Sequence, residues 1–250
     1  MKNLFLFLFL LVVFTSKAQD NRVSGLNSRQ FTKYWKVESE SPDYKVTFQG
    51  DTAEIVSPKG LTLWRKEKMS GKVTIEYDAC VVVESDGDRL SDLNCFWMAS
   101  DPQYPDNLWK REKWRSGIFL NCYSLQLYYL GYGGNHNSTT RFRRYDGDES
   151  GITNPKARPA ILKEYTDAGH LLKPNHWYHI KITNENNRVS YYIDGERLVD
   201  FRDAEPLREG WFGFRTTLSR TRITNFSYEC SSQEAAVVPL QWIGETPRQD

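Results

Sequence analysis

Residues 177–201 read WYHIKITNENNRVSYYIDGERLVDF, and this stretch constrains the fold more than any other. Apolar and polar side chains alternate along WYHIKIT, the pattern of a strand with one buried face. NENN then supplies a turn, RVSYYI returns, and Asp194-Gly195 is a hairpin dipeptide. ERLVDF follows as a third strand, so the three form an antiparallel meander. Lys72–Glu84 alternates in the same way, with Val73, Ile75, Tyr77 and Ala79 on one face. GWFGFRT (210–216) and TRITNFSYEC (221–230) read as two further strands. Short strands at regular spacing predict an all-β chain, a jelly-roll sandwich of two antiparallel sheets with almost no helix. The expected core includes Trp177, Ile180, Ile193, Phe212 and Phe214. The least strand-like piece, 146–174, holds three prolines and is expected to be a long loop with one helical turn.

The first eighteen residues, MKNLFLFLFLLVVFTSKA, carry an early lysine, an apolar run from Leu4 to Phe14, and Ser16 and Ala18 before the expected cleavage point. That is the form of a secretory signal, too short to span a membrane. The expected organisation is a leader at 1–18, a jelly-roll domain at 19–230 and an extension at 231–250. The expected location is periplasmic or extracellular. A formal net charge of +1 argues against a general nucleic-acid or membrane-surface binder, and no second apolar run reaches spanning length. Export permits oxidation of Cys80, Cys95, Cys122 and Cys230. Cys80 with Cys230 is the favoured pair, and buried free thiols are the alternative.

The sharpest chemical signal is GYGGNHNSTTRFRRYDG, residues 131–147. On a strand, Arg141, Arg143 and Tyr145 share one face, while Phe142 and Arg144 share the other. Neighbouring guanidinium groups suit a carboxylate or sulfate, which they grip as a planar fork. The bland alternative is a solvated edge strand paired with Asp146, Asp148 or Glu149. In the preceding loop, glycines permit close backbone approach to a ligand. Asn135 and Asn137 offer amides to sugar hydroxyls, and His136 is a candidate proton-transfer group. A simple turn is the competing reading. Of Tyr128, Tyr129 and Tyr132, the last lies in the loop and is the favoured chemical residue. The segment DNLWKREKWRSG (106–117) brings Trp109, Trp114, Lys110, Arg111 and Arg115 as a second groove candidate, or as a solvated loop pinned by its tryptophans. No cofactor is expected; Asp86, Asp88 and Asp92 form a loose candidate calcium loop.

HWYHIKITNENNRVSYYIDGERLVDF followed by GWFGFRTTLSRTRITNFSY resembles the closing half of concanavalin A-like (laminin-G-like) jelly-roll domains. There, W-Y/H-x-I-x-I, then Y-I-D-G, then G-x-F-G-F-R recur on consecutive strands. LNCFWMASDP together with the 131–147 stretch is similar to a secreted bacterial family of unknown function that accompanies polysaccharide-degrading enzymes. The resemblance implies glycan work and supplies no mechanism. The jelly-roll glucanase ExDxxE strand is absent. SLQLYY places Gln126 and Tyr128 at the spacing of the alginate-lyase Q-I-H strand, without its histidine.

The expected function is action on an acidic, uronate- or sulfate-bearing algal or plant polysaccharide or oligosaccharide. β-Elimination from a uronate needs a neutraliser for the carboxylate, a base and an acid. Arg141 or Arg143 would neutralise, His136 or Tyr132 would take the proton, and Tyr145 or Tyr132 would give one. Arg144, Asn135, Asn137, Trp109 and Arg115 would bind substrate. Two rival classes remain open: a non-catalytic carbohydrate-binding module, and a structural or partner-binding domain of a glycan-uptake system.

Overall fold

A computed structural model describes residues 22–231; the expected leader and nearly all of the expected extension lie outside them. The described chain is an antiparallel sandwich of two sheets. The strands, in order, are β1 (Val23–Ser24), β2 (Trp35–Ser39), β3 (Lys45–Gln49), β4 (Thr52–Arg65), β5 (Met69–Ser70), β6 (Lys72–Val81) and β7 (Leu93–Ser100). They continue with β8 (Gln126–Gly133), β9 (Thr139–Asp146), β10 (Lys163–Tyr165), β11 (Tyr178–Glu185), β12 (Arg188–Ile193), β13 (Glu196–Arg202) and β14 (Glu209–Ser231). One helix, α1 (Ser28–Tyr34), and a few single turns complete the element list.

The last two expected strands are one. β14 runs unbroken for 23 residues and belongs to both sheets. Its first half lies between β7 and β4; its second half lies between β6 and the start of β4. The register against β4 slips between Thr217 and Ser219, and Leu218 between them takes a φ of 50° and points outward. A bulge of this kind bends a strand and lets it change sheets. The front sheet is therefore β10-β9-β8-β7-β14-β4-β2, and the back sheet β13-β12-β11-β6-β14-β4-β3.

Inward-facing residues of both sheets make the main core. Ile180 and Ile182 of β11, Tyr191 of β12, Trp97 of β7 and Phe212 and Phe214 of β14 are all buried there. Tyr77 meets Phe214 edge-on at 4.9 Å. Ile180, Ile193, Phe212 and Phe214 sit as expected, but Trp177 does not: it is 43% exposed. The reason is parity. Trp177, His179 and Lys181 share the outer face, so the alternation that buries Ile180 turns Trp177 to solvent.

The cysteine expectation also needs correction. β6 and β14 are neighbours, yet Cys80 stands opposite Arg222 and Cys230 opposite Val73. Val73 and Cys80 are seven residues apart, roughly 23 Å at about 3.3 Å per residue, against a disulfide limit near 7 Å between Cα atoms. All four cysteines are free thiols. Burial pushes the Cys95 thiol up to about 12 and that of Cys122 up to about 11.

The 146–174 stretch is more ordered than its composition predicts. β10 within it pairs with β9 and closes the front sheet's edge. No helix among the described residues is long and apolar enough to cross a membrane.

Candidate functional site

The outer face of the front sheet is divided in two. Residues 101–125 fold over one half in short helical turns at Leu108–Arg111, Glu112–Arg115 and Leu120–Ser124. They bury a second apolar cluster against the sheet, with Trp64, Phe96, Leu108, Tyr123, Leu127, Tyr145 and Trp211. Arg115 anchors this cover. It is fully buried, donates to Glu38 at 2.9 Å and to the Leu108 carbonyl at 2.7 Å, and lies 3.7 Å from Asp101. Trp109 packs edge-on against Trp211 at 6.1 Å. The 106–117 segment, read either as a substrate groove or as a loop pinned by its tryptophans, is a cover held by a buried ion pair. Arg115 and Trp109 stand in its packing and away from the open face.

The other half of the outer face is a cleft of about 360 Å³. Asn135, His136, Arg141 and Arg143 line it, as do Tyr129, Arg215, Arg89, Asp92, Asn94 and Glu40. Strand parity and register explain the grouping. Arg143 stands opposite Tyr129 on β8, and Arg141 opposite Gly131. Gly131 in turn faces Asn94 on β7, and Asn94 faces Arg215 on β14. One row across four strands therefore carries Arg141, Gly131, Asn94 and Arg215 on the same face. Gly131 has to be bare: a Cβ there would stand 2.3 Å from the Tyr129 hydroxyl. The missing side chain lets the Tyr129 ring lie over the strand.

Charge in the cleft is mostly cationic, with four guanidinium groups against the carboxylates of Glu40 and Asp92. Arg89 is paired with Asp92 at 2.8 Å, and Arg141 with Glu164 of β10 at 2.5 Å. The acids expected beside Arg141 are engaged elsewhere: Glu149 binds Arg111, and Asp148 caps Ser150. Arg143 donates to the Pro159 carbonyl, and Arg215 to the Gly117 carbonyl at 2.6 Å. Neither of these two has a carboxylate at ion-pair distance among the described residues. Burial pushes the Tyr129 phenol well up; Asp92 adds to this, while Arg215 and Arg143 pull it back. Tyr129 therefore keeps its proton at neutral pH and is a hydroxyl donor.

The loop that presents His136 is unusual. Gly133, Asn135, His136 and Asn137 all take positive φ, between 51° and 66°. Asn and His are among the side chains that tolerate this region, and such strain persists only where the surroundings enforce it. Asn137 does the enforcing. Its amide donates to the Leu172 carbonyl at 2.9 Å and accepts from the Leu172 amide at 2.8 Å. Asn137 thus ties the loop to the 166–174 segment, while Asn135 and His136 are exposed at the cleft.

Three other expected residues lie elsewhere. Tyr132 faces the inner core, where its hydroxyl donates to the Leu171 carbonyl at 3.3 Å and its ring meets Tyr178. Tyr145 shares the face of Arg141 and Arg143 but is buried under the cover, against Tyr123 at 5.2 Å. Arg144 faces inward and binds Asp203 at 2.7 Å and the Glu205 carbonyl at 2.9 Å. The aspartates of the calcium expectation are not gathered. Asp88 caps the amides of Glu84 and Ser85, and Asp92 is held by Arg89, Ser91 and Asn94. No cluster of three or more His, Cys, Asp or Glu able to hold a metal occurs among the described residues.

A family model described as "Domain of unknown function (DUF6250)" matches residues 55–226, which contain β7, β8, β9 and β10 whole and most of β4 and β14. The chain belongs to the DUF6250 family. No functionally curated protein matches the sequence of this DUF6250 protein. Solved structures share its fold at low identity. A protein of unknown function with a galectin-like fold from Bacillus subtilis is 16% identical, with a TM-score of 0.65 over 83% of this chain and 94% of that one. The carbohydrate-binding module CBM66 from Bacillus subtilis is 16% identical, with a TM-score of 0.51 over 78% and 94%. The exoplasmic/lumenal domain of VIP36, solved with Ca2+ and Man3GlcNAc, is 10% identical, with a TM-score of 0.56 over 87% and 91%. At these identities the likeness shows the sandwich fold that the DUF6250 domain shares with them.

Proposed function

We propose that the concave cleft binds an anionic saccharide, a uronate- or sulfate-bearing residue of a polysaccharide met outside the cytoplasm. One observation carries the reading: Arg143, directly across from Tyr129, and Arg215 in the next row line one cleft with no carboxylate at ion-pair distance among the described residues. A guanidinium pairs bidentately with carboxylate or sulfate, and Tyr129 and Asn135 supply hydrogen bonds suited to sugar hydroxyls. Carbohydrate binding by fold neighbours such as CBM66 agrees with this reading.

A second, lyase reading rests on a phenol and an imidazole, Tyr129 and His136, lining the same cleft. His136 would take the proton beside the neutralised carboxylate, and Tyr129 would protonate the leaving oxygen. A panel of acidic polysaccharides, followed by calorimetry and by absorbance near roughly 235 nm for the conjugated product of elimination, tests both readings. Binding without new absorbance leaves a binding module; neither signal on any acidic polymer removes the proposal.

A further inference from the structure

The outer face of the back sheet has a groove of its own, on the side of the sandwich away from the cleft. Ladder register lays it out in rows. Thr74 on β6 stands opposite Thr183 on β11, Thr183 opposite Ser190 on β12, and Ser190 opposite Asp200 on β13. Their short side chains form a floor. Two residues along the strands to one side, Glu185 stands opposite Arg188, and Arg188 opposite Arg202. To the other side, Glu76, Lys181, Tyr192 and Arg197 stand in line. Ridges of long side chains thus flank a hydroxyl floor, around a depression of about 460 Å³. Ion pairs run along the ridges and not across the floor: Lys72 with Glu185 at 2.8 Å, and Lys181 with Glu76 at 3.1 Å.

The β13 end is cationic. Arg188 and Arg202 are directly opposite, a placement of like charges that costs stability. Asp200 accepts from Arg188 at 2.6 Å through each oxygen and lies 3.3 Å from Arg197. Arg202 has no carboxylate at ion-pair distance among the described residues. Three guanidinium groups around one carboxylate leave an excess of positive charge. Ser190, beside them, is 3% exposed and lines the depression, and its hydroxyl makes no hydrogen bond among the described residues. A buried hydroxyl left unpaired is costly, and a ligand oxygen at this spot would satisfy it.

We infer that this groove is a second saccharide site, taking an acidic glycan with its carboxylate or sulfate on Arg188 and Arg202 and its hydroxyls along Thr74, Thr183 and Ser190. From β6 to β13 the floor crosses four strands, about 14 Å at roughly 4.8 Å spacing, which is longer than one sugar ring. Sites on opposite faces would let one protein engage two strands of polymer. The inference stands on its own residues and does not depend on the reading of the cleft.

The test titrates the full chain with a chondroitin sulfate tetrasaccharide, which carries both carboxylate and sulfate, by calorimetry at one ionic strength. Arg143→Gln, which removes the cleft's guanidinium, should retain one bound ligand per chain. Adding Arg202→Gln, an exposed change whose folding is checked by its melting curve, should weaken that remaining binding by about tenfold. Adding Lys45→Gln instead removes an exposed cation on β3, outside the groove, and should leave it unchanged. Binding that vanishes in Arg143→Gln alone overturns the inference and leaves the cleft standing. Equal losses from Arg202→Gln and Lys45→Gln reduce the groove to diffuse charge and also overturn it, as does failure of the wild type to bind. Binding untouched by Arg143→Gln but lost with Arg202→Gln upholds the inference and strikes the reading of the cleft.

Discussion

Tyr129 stands directly across the β8–β9 ladder from Arg143, with its hydroxyl over the bare Cα of Gly131. Tyr132, three residues on, faces the opposite side of the same strand and is tied into the inner core. The two tyrosines should therefore separate cleanly on mutation. Tyr129→Phe is expected to weaken saccharide binding or slow turnover by about tenfold, the worth of one hydrogen bond to a charged or reacting group, with little change in melting temperature. Tyr132→Phe should leave ligand affinity unchanged and cost about 1 kcal/mol of stability. The opposite pattern would return the site to the inner face.

Arg115 predicts a stability effect. Its guanidinium is buried with Glu38 beneath the cover. Arg115→Ala strands the carboxylate and should destabilise by about 3–5 kcal/mol in urea unfolding. Replacing both partners, Arg115→Met with Glu38→Leu, should lie closer to wild type than either single change. A cost under about 1 kcal/mol for Arg115→Ala would mean that the pair does not hold the cover.

What the sequence shows and what it hides follow from strand parity and from distance along the chain. Alternation placed Ile180, Ile193, Phe212 and Phe214 inside and put Arg141 and Arg143 on one face. Parity was also enough to turn Trp177 outward, and to separate Tyr129 from Tyr132 once the hairpin register is known. Other relationships have no local signal. Arg115 and Arg215 are both buried arginines; only Glu38, 77 residues from Arg115, makes one of them half of a buried ion pair. Arg89 and Glu40 reach the cleft from loops whose paths depend on the closed sandwich. The two expected end strands merge because the bend at Leu218 keeps β14 paired on both sides.

The cysteine geometry gives a chemical test. Alkylation of the denatured protein without reductant should add four labels, one for each free thiol. Two labels would restore a disulfide, and mapping it to Cys80 and Cys230 would contradict the register of β6 against β14.

Acid should weaken one identifiable contact. Burial alone would raise the Glu54 carboxyl, but hydrogen bonds from Arg220 and Arg222 outweigh it and hold the group below its ordinary value of 4.5. A carboxylate depressed by folding adds stability above its unfolded value and loses it as pH falls through its folded one. The stability gap between wild type and Glu54→Gln should therefore be widest above pH 4.5 and shrink as pH falls below it. A gap independent of pH would remove the carboxylate's role.

The claim at the centre is that Arg143 reads an anionic group on a saccharide. It is tested most directly by titrating wild type and Arg143→Gln with the same acidic oligosaccharide at one salt concentration. Arg143 is half-buried and its described hydrogen bond goes to the Pro159 carbonyl, so the fold should survive with a melting temperature near wild type. Loss of a charge-assisted pair predicts binding weaker by about ten- to a hundredfold. Equal affinity in the two proteins would contradict the account.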